Sequence, residues 1–139
     1  MGLEIEELLG ELDRPPGASD EAIQGLLARI GNGLPIDYIA LLRRMDGFEG
    51  LLGDGYLVLW PSSEVADSNV DYGVAMYAPG MLLIGSNGGN TAYGLDMRPT
   101  ATDDEKYIET DFIGMGWDSI FFRAGSILEL LQHIANQDV

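Results

Sequence analysis

The sequence predicts an α+β fold, a single domain over residues 1–139 in which an antiparallel or mixed β-sheet is packed by N-terminal helices and a C-terminal helix. Two observations lead there. Apolar residues recur at the i, i+3, i+4, i+7 spacing of an amphipathic helix in segments near the start and again near the end of the chain. Between these stretches the pattern changes to short apolar runs of strand length, bounded by Gly, Asn and Pro. Strand and helix do not alternate, so a doubly wound parallel sheet fits the order of segments less well.

The first stripe, Ile5, Leu8, Leu9 and Leu12, predicts an extra N-terminal helix within 1–14. Arg14-Pro15-Pro16-Gly17 ends it, because proline donates no backbone bond and pushes the preceding residue out of the helical region. Ser19 then caps a second helix with the stripe Ile23, Leu26, Leu27, Ile30, and Asp20 and Glu21 sit at its positive end. A third, entered through Pro35 and stopped by Gly47, carries Tyr38, Leu41, Leu42 and Met45. Tyr56 to Trp60, between Gly55 and Pro61, reads as a strand. Ser62 and Ser63 are candidate caps for a short helix through Glu64, Val65 and Asp67, followed by an irregular loop to Pro79. Met81–Ser86 and Thr91–Asp96 pair as an antiparallel hairpin, because Asn87-Gly88-Gly89-Asn90 tolerates the positive φ a tight turn needs. Lys106–Phe112 is a further strand and Ser119–Arg123 a candidate for another, while Pro99–Glu105 is a solvated acidic loop. Ser126 and Glu129 form the capping box of a last helix with the stripe Ile127, Leu130, Leu131, Ile134.

Composition narrows the function. With 46% hydrophobic residues, mean hydropathy near zero and no apolar run close to the ~20 residues of a membrane-spanning helix, the chain reads as a soluble globular protein. Met1–Glu11 holds Glu4, Glu6, Glu7 and Glu11 and no base, the reverse of a signal peptide's cationic start, so a cytoplasmic location is expected. The absence of cysteine removes disulfides, Cys-zinc sites and thiol catalysis. Seven Lys plus Arg against 23 Asp plus Glu give a formal charge of −16. Such a surface repels phosphate backbones, which argues against direct nucleic-acid binding, and attracts a basic protein partner.

Chemistry-bearing motifs are sparse. His133, near the negative end of the last helix and four residues after Glu129, reads as a surface position, and no G-x-S-x-G elbow supplies a nucleophile for it. Gly85-Ser86-Asn87-Gly88-Gly89 lacks the Lys-Ser/Thr ending of a phosphate loop, and Gly114-Met115-Gly116 lacks the third glycine of a dinucleotide site. Asp103, Asp104, Glu105, Glu109 and Asp111 match no EF-hand spacing. No catalytic, cofactor or metal residues are therefore assigned. Trp60, Trp117, Phe121 and Phe122 are the aromatics most able to anchor a partner, with Trp60, at the end of a buried-looking strand, more suited to the core.

LPIDYIALLRRMDG at 34–47, LW-P at 59–61, Glu64 and Asn69, LLIGSNGGNTAYGLD at 82–96, Tyr107 and the capped last helix follow one another over about 19–136 in an order that resembles the SUKH immunity-protein superfamily, specifically its branch related to yeast cell-wall-assembly regulators of the Smi/Knr type. Asn90, where related sequences often carry a small residue, and the extra segment 1–14 depart from that pattern. The resemblance implies a SUKH-like fold and a non-enzymatic immunity protein that binds and neutralises a cognate polymorphic toxin domain, often a nuclease. Alternatives are a regulatory interaction scaffold and a small-ligand or hydrolytic domain. Candidate contacts are Asp46, Glu49, Asp54, Glu64, Asp67 and Asp71, which fall outside the predicted core stripes, together with Trp117. The purified protein is expected to show no turnover on nuclease, protease, esterase or glycosidase substrates. Reproducible activity abolished by a single carboxylate substitution would contradict the binding-module reading.

Overall fold

The computed structural model describes residues 7–9, 14–31 and 33–136. Of the expected N-terminal helix, Glu7, Leu8 and Leu9 are helical and Leu9 is buried; the rest of that segment lies outside the described residues. Helix α1 is Asp20–Ile30, started by the Ser19 hydroxyl, which accepts from the Ala22 amide at 3.1 Å, and it buries Ile23 and Leu26. Helix α2 is Ile36–Arg44, with Pro35 at its N-cap, Asp37 in its first turn and Arg43 and Arg44 in its last, the charge order its dipole favours. It leaves the helical region at Met45, and Gly47, at φ +95°, turns the chain towards Pro61.

Six antiparallel strands follow in sequence order: β1 Phe48–Leu52, β2 Gly55–Leu59, β3 Met81–Ser86, β4 Thr91–Asp96, β5 Tyr107–Asp111 and β6 Phe122–Ala124. The β3–β4 hairpin has the expected bounds. Strand β1 is an addition, since Glu49 and Gly50 interrupt the apolar run that would have marked it. Strand β6 starts later than expected because Trp117–Ser119 forms a 3-10 turn. Between β2 and β3 lie α3 (Val65–Asp71) and the single turn α4 (Val74–Tyr77). Neither serine caps α3. The Ser62 amide and hydroxyl instead donate to the two Asp46 carboxylate oxygens at 2.6 and 3.1 Å.

Two cross-strand rows show how the sheet is used. Phe48, Leu59, Gly85, Tyr93, Glu109 and Phe122 oppose one another across all six strands. On that face lies α5, Ile127–Ala135: His133 Nε2 is 2.8 Å from Glu109 Oε1, and its ring stacks on Phe122 at 3.7 Å. The adjacent row, Glu49, Val58, Ser86, Ala92 and Thr110, points to the other face, because side chains alternate along a strand. Asn69 on α3 crosses to that face and mimics a strand. Its amide donates to Leu83 O and its oxygen accepts from Leu83 N, both at 2.8 Å, where the β3–β4 register shifts between Leu83 and Gly85.

Helix α5 is fixed at both ends. At its start, one Asp37 oxygen accepts from the Tyr107 hydroxyl at 2.5 Å and the other from the Ile127 amide at 2.8 Å. Burial first, and then the bond to Asp37, raise the Tyr107 pKa and keep the hydroxyl a donor. At its end, the Asp54 amide donates to Ala135 O at 2.8 Å, and Gly55 passes so close that a Cβ would lie 1.9 Å from Ile134 O. Asp37→Ala is expected to cost about 2–4 kcal/mol, since it leaves a part-buried hydroxyl and a helix-start amide without their acceptor. Urea unfolding checks this, with Asp37→Asn, which keeps one acceptor oxygen, losing less.

Candidate functional site

The few basic side chains are spent largely on internal carboxylates. Arg29 pairs with Asp67 at 2.8 Å, Arg43 with Asp20, and Arg98 and Arg123 both with Asp96. Those pairs account for four of the seven Lys and Arg residues, so most of the 23 acids are left to set the outer field.

Asp96, at the end of β4, is only 2% exposed. Its Oδ1 accepts from the Arg98 amide and Nε at 3.1 and 2.9 Å, and its Oδ2 from Arg98 Nη2 at 2.8 Å and Arg123 Nη1 at 3.5 Å. Burial alone would raise its pKa, but the bonds from Arg98 and Arg123 outweigh it and hold the carboxyl below its usual range. Arg98 in turn lies 3.5 Å over the Trp117 ring, whose Nε1 donates to Pro79 O at 2.8 Å. Trp117 is therefore fixed on two sides and half-exposed.

The face opposite α5 is only partly covered. Over its Ser86–Ala92–Thr110 row, Tyr72 stacks on Trp60 at 5.9 Å and on Phe112 at 4.5 Å. Tyr72 remains 47% exposed. Beyond the aromatic group the β1–β2 half is open: Leu51 is 64% exposed, Tyr56 is exposed and donates to Glu49 at 3.1 Å, and the Gly88 turn sits against the Tyr56 ring. A recess of about 380 Å³ opens beside Trp60, with Glu49 and Glu64 on it and Pro15, Val58 and Pro61 among its walls.

A larger recess, about 670 Å³, lies where α2 meets the start of α5, lined by Leu34, Ile36, Asp37, Arg44, Lys106 and Ser126 among others. Its carboxylate, Asp37, is the one already bound to Tyr107 and Ile127. Among the described residues, no group of three or more His, Asp or Glu is arranged to hold a metal ion. Nor is any helix there long and apolar enough to cross a membrane.

The candidate contacts of the sequence fall in several places. Glu49, on β1, and Glu64, before α3, share the recess beside Trp60. Asp46 is also there, but both its oxygens are bound to Ser62. Asp67 and Asp71 are exposed on α3, Asp67 paired with Arg29. Asp54 sits at the far tip of the β1–β2 hairpin, beside the end of α5, and Trp117 belongs to the Asp96–Arg98 cluster. Sequence reasoning missed Tyr72 and Phe112. Phe112 had a signal, since it directly follows β5 and keeps the alternation with Thr110; Tyr72, in a segment expected to be irregular, had none.

An antiparallel meander with α5 on one face, α3 and α4 covering the other only in part, and no metal cluster among the described residues define a small α+β domain that offers part of a sheet face to its surroundings. The SMI1 / KNR4 family (SUKH-1) matches residues 17–133, and the chain belongs to that family. A comparison with curated proteins finds no match.

The Asp96 cluster gives a pH prediction. Its folded carboxyl takes up a proton at lower pH than the unfolded one, so its stabilisation is present above the unfolded value near ~3.9 and is lost as pH falls through the folded value. Asp96→Asn should therefore be less stable than the parent at pH 7, with the gap shrinking below about pH 4. Denaturant unfolding from pH 7 to pH 3 checks it; a gap that widens in acid would refute the assignment.

Proposed function

We propose that this protein is a non-enzymatic, cytoplasmic immunity protein that binds and neutralises a cognate toxin domain bearing a basic surface, such as a nuclease. Membership of the SUKH-1 family across residues 17–133 is the observation that carries the reading. The charge supports it physically. A nuclease domain must present cations to a phosphate backbone, and a partner of formal charge −16 whose arginines are largely occupied internally is complementary to such a surface.

Glu64, Asp67 and Asp71 along α3, with Glu49 across the recess, provide the steering field; Asp46, Asp54 and Trp117 are secondary contacts of the same reading. Exposed acids act mainly on encounter, while packed contacts govern release.

Co-expression with the product of an adjacent toxin gene should restore growth, and the two proteins should co-purify. Association should slow as salt shortens the Debye length from ~30 Å at 0.01 M to ~10 Å at 0.1 M, with dissociation less affected. Neutralising Glu64, Asp67 and Asp71 together should slow association without unfolding the domain, because among the described residues their one ion pair, Arg29–Asp67, is exposed and worth less than about 1 kcal/mol. A salt-independent association rate, or a triple variant that binds as fast as the parent, would defeat the steering mechanism; failure to protect would defeat the immunity reading.

A further inference from the structure

We infer that the half-open sheet face carrying Trp60, Tyr72 and Phe112 is the docking surface for a basic protein segment, and that the recess beside Trp60 receives one of its arginine side chains between Glu49 and Glu64. This rests on the binding reading above and names its surface.

The surface is aromatic and unevenly covered. Tyr72 stacks on Trp60 and Phe112; Trp60 is packed into the core at 9% exposure, as its place at the end of β2 predicts, while Tyr72 presents nearly half of its area. The apolar area continues across the β1–β2 hairpin through Val58, Tyr56 and Leu51, and past Phe112 to Ile113, which is 83% exposed. Rigid aromatics held by their neighbours make good anchors, because little side-chain freedom is lost when a partner settles on them.

The charged residues among the described ones that line the recess are all acidic. Glu49 and Glu64 border the recess, Asp71 precedes Tyr72, and Asp111 precedes Phe112. Neither Glu49 nor Glu64 is paired with a cation among the described residues; Glu49 accepts only the neutral Tyr56 hydroxyl. The Asp46 carboxylate at the same recess is hydrogen-bonded by Ser62, a neutral donor. An apolar occupant would therefore bury carboxylates without an opposite charge, and an anionic one would be repelled. A guanidinium meets both requirements: its flat face lies on a proline ring of the recess, Pro15 or Pro61, beside the little of Trp60 that is exposed, and its edge carries donors for two carboxylates. Lysine offers a more strongly hydrated point charge without the flat face.

The test uses ¹⁵N-labelled protein and a defined probe, N-acetylated tri-arginine amide, with N-acetylated tri-citrulline amide as the uncharged analogue of the same shape. Saturable shifts are expected at the Trp60 indole N–H and at the backbone amides of Glu49, Val58 and Glu64, while the Trp117 indole, donating to Pro79 O, stays in place. The exposed double variant Glu49→Gln/Glu64→Gln should keep the parent's thermal unfolding and weaken the probe roughly tenfold. Equal shifts with tri-citrulline, shifts spread evenly over remote acids such as Asp103 and Asp104, or shifts centred on Trp117 would each overturn the assignment. A protein that protects against the toxin but shows no such arginine site refutes the docking surface and leaves the immunity reading standing. A saturable arginine site in a protein that gives no protection does the reverse.

Discussion

Asp37 holds three parts of the molecule with two oxygens. Sitting in the first turn of α2, it accepts from the Tyr107 hydroxyl of β5 and from the first amide of α5. A carboxylate at a helix start is favoured by the dipole and satisfies an amide that no helical carbonyl can reach. Because Ser126 caps the same helix from its own chain neighbourhood, through Glu129 N at 3.1 Å, the start of α5 is fixed by one local and one distant group. The distant one sets where the helix lies on the sheet. From that follow the contact of His133 with Glu109 and Phe122, and the passage of Gly55 beneath Ile134 O.

With α5 on one face, the other face depends on α3. Asn69 joins that helix to β3 by satisfying both the amide and the carbonyl of Leu83, beside a bulge where the sheet partner is out of register. Anchored there, α3 delivers Tyr72 onto Trp60 and Phe112, and it covers the central strands while leaving β1 and β2 open. The candidate surface is thus a consequence of how short α3 and α4 are: eleven helical residues cannot cover six strands.

Charge is distributed by the same economy of contacts. The buried Asp96 gathers Arg98 and Arg123 and, through Arg98, orders Trp117, so two of the few cations serve the interior and the end of the sheet. What reaches the surface is mostly acidic. A rigid, partly aromatic face is thereby set in a field of predominantly negative sign.

The sequence alone determined the α+β class, the three longer helices α1, α2 and α5 and the β3–β4 hairpin, because each follows from local spacing: apolar stripes, Ser19 and Ser126 at helix starts, and a turn of Asn and Gly; the serine cap expected for α3 and the loop where α4 forms were decided by tertiary contacts. It also determined the net charge, and its ordered motifs pointed to the family that residues 17–133 match. Strand β1 was hidden because an exposed Glu49 and a glycine break its apolar alternation, and strand identity there comes from pairing with β2. Only the tertiary structure decided which acids have tasks inside the fold. Asp37, Asp46 and Asp96 look like any of the other twenty in the sequence, yet their partners lie 90, 16 and 27 residues away at the longest or only reach. No local pattern encodes such separations, since a carboxylate's role is set by whichever donors the folded chain brings to it, and the same holds for Tyr72, whose ring meets Trp60 and Phe112 only once α3 is docked on β3.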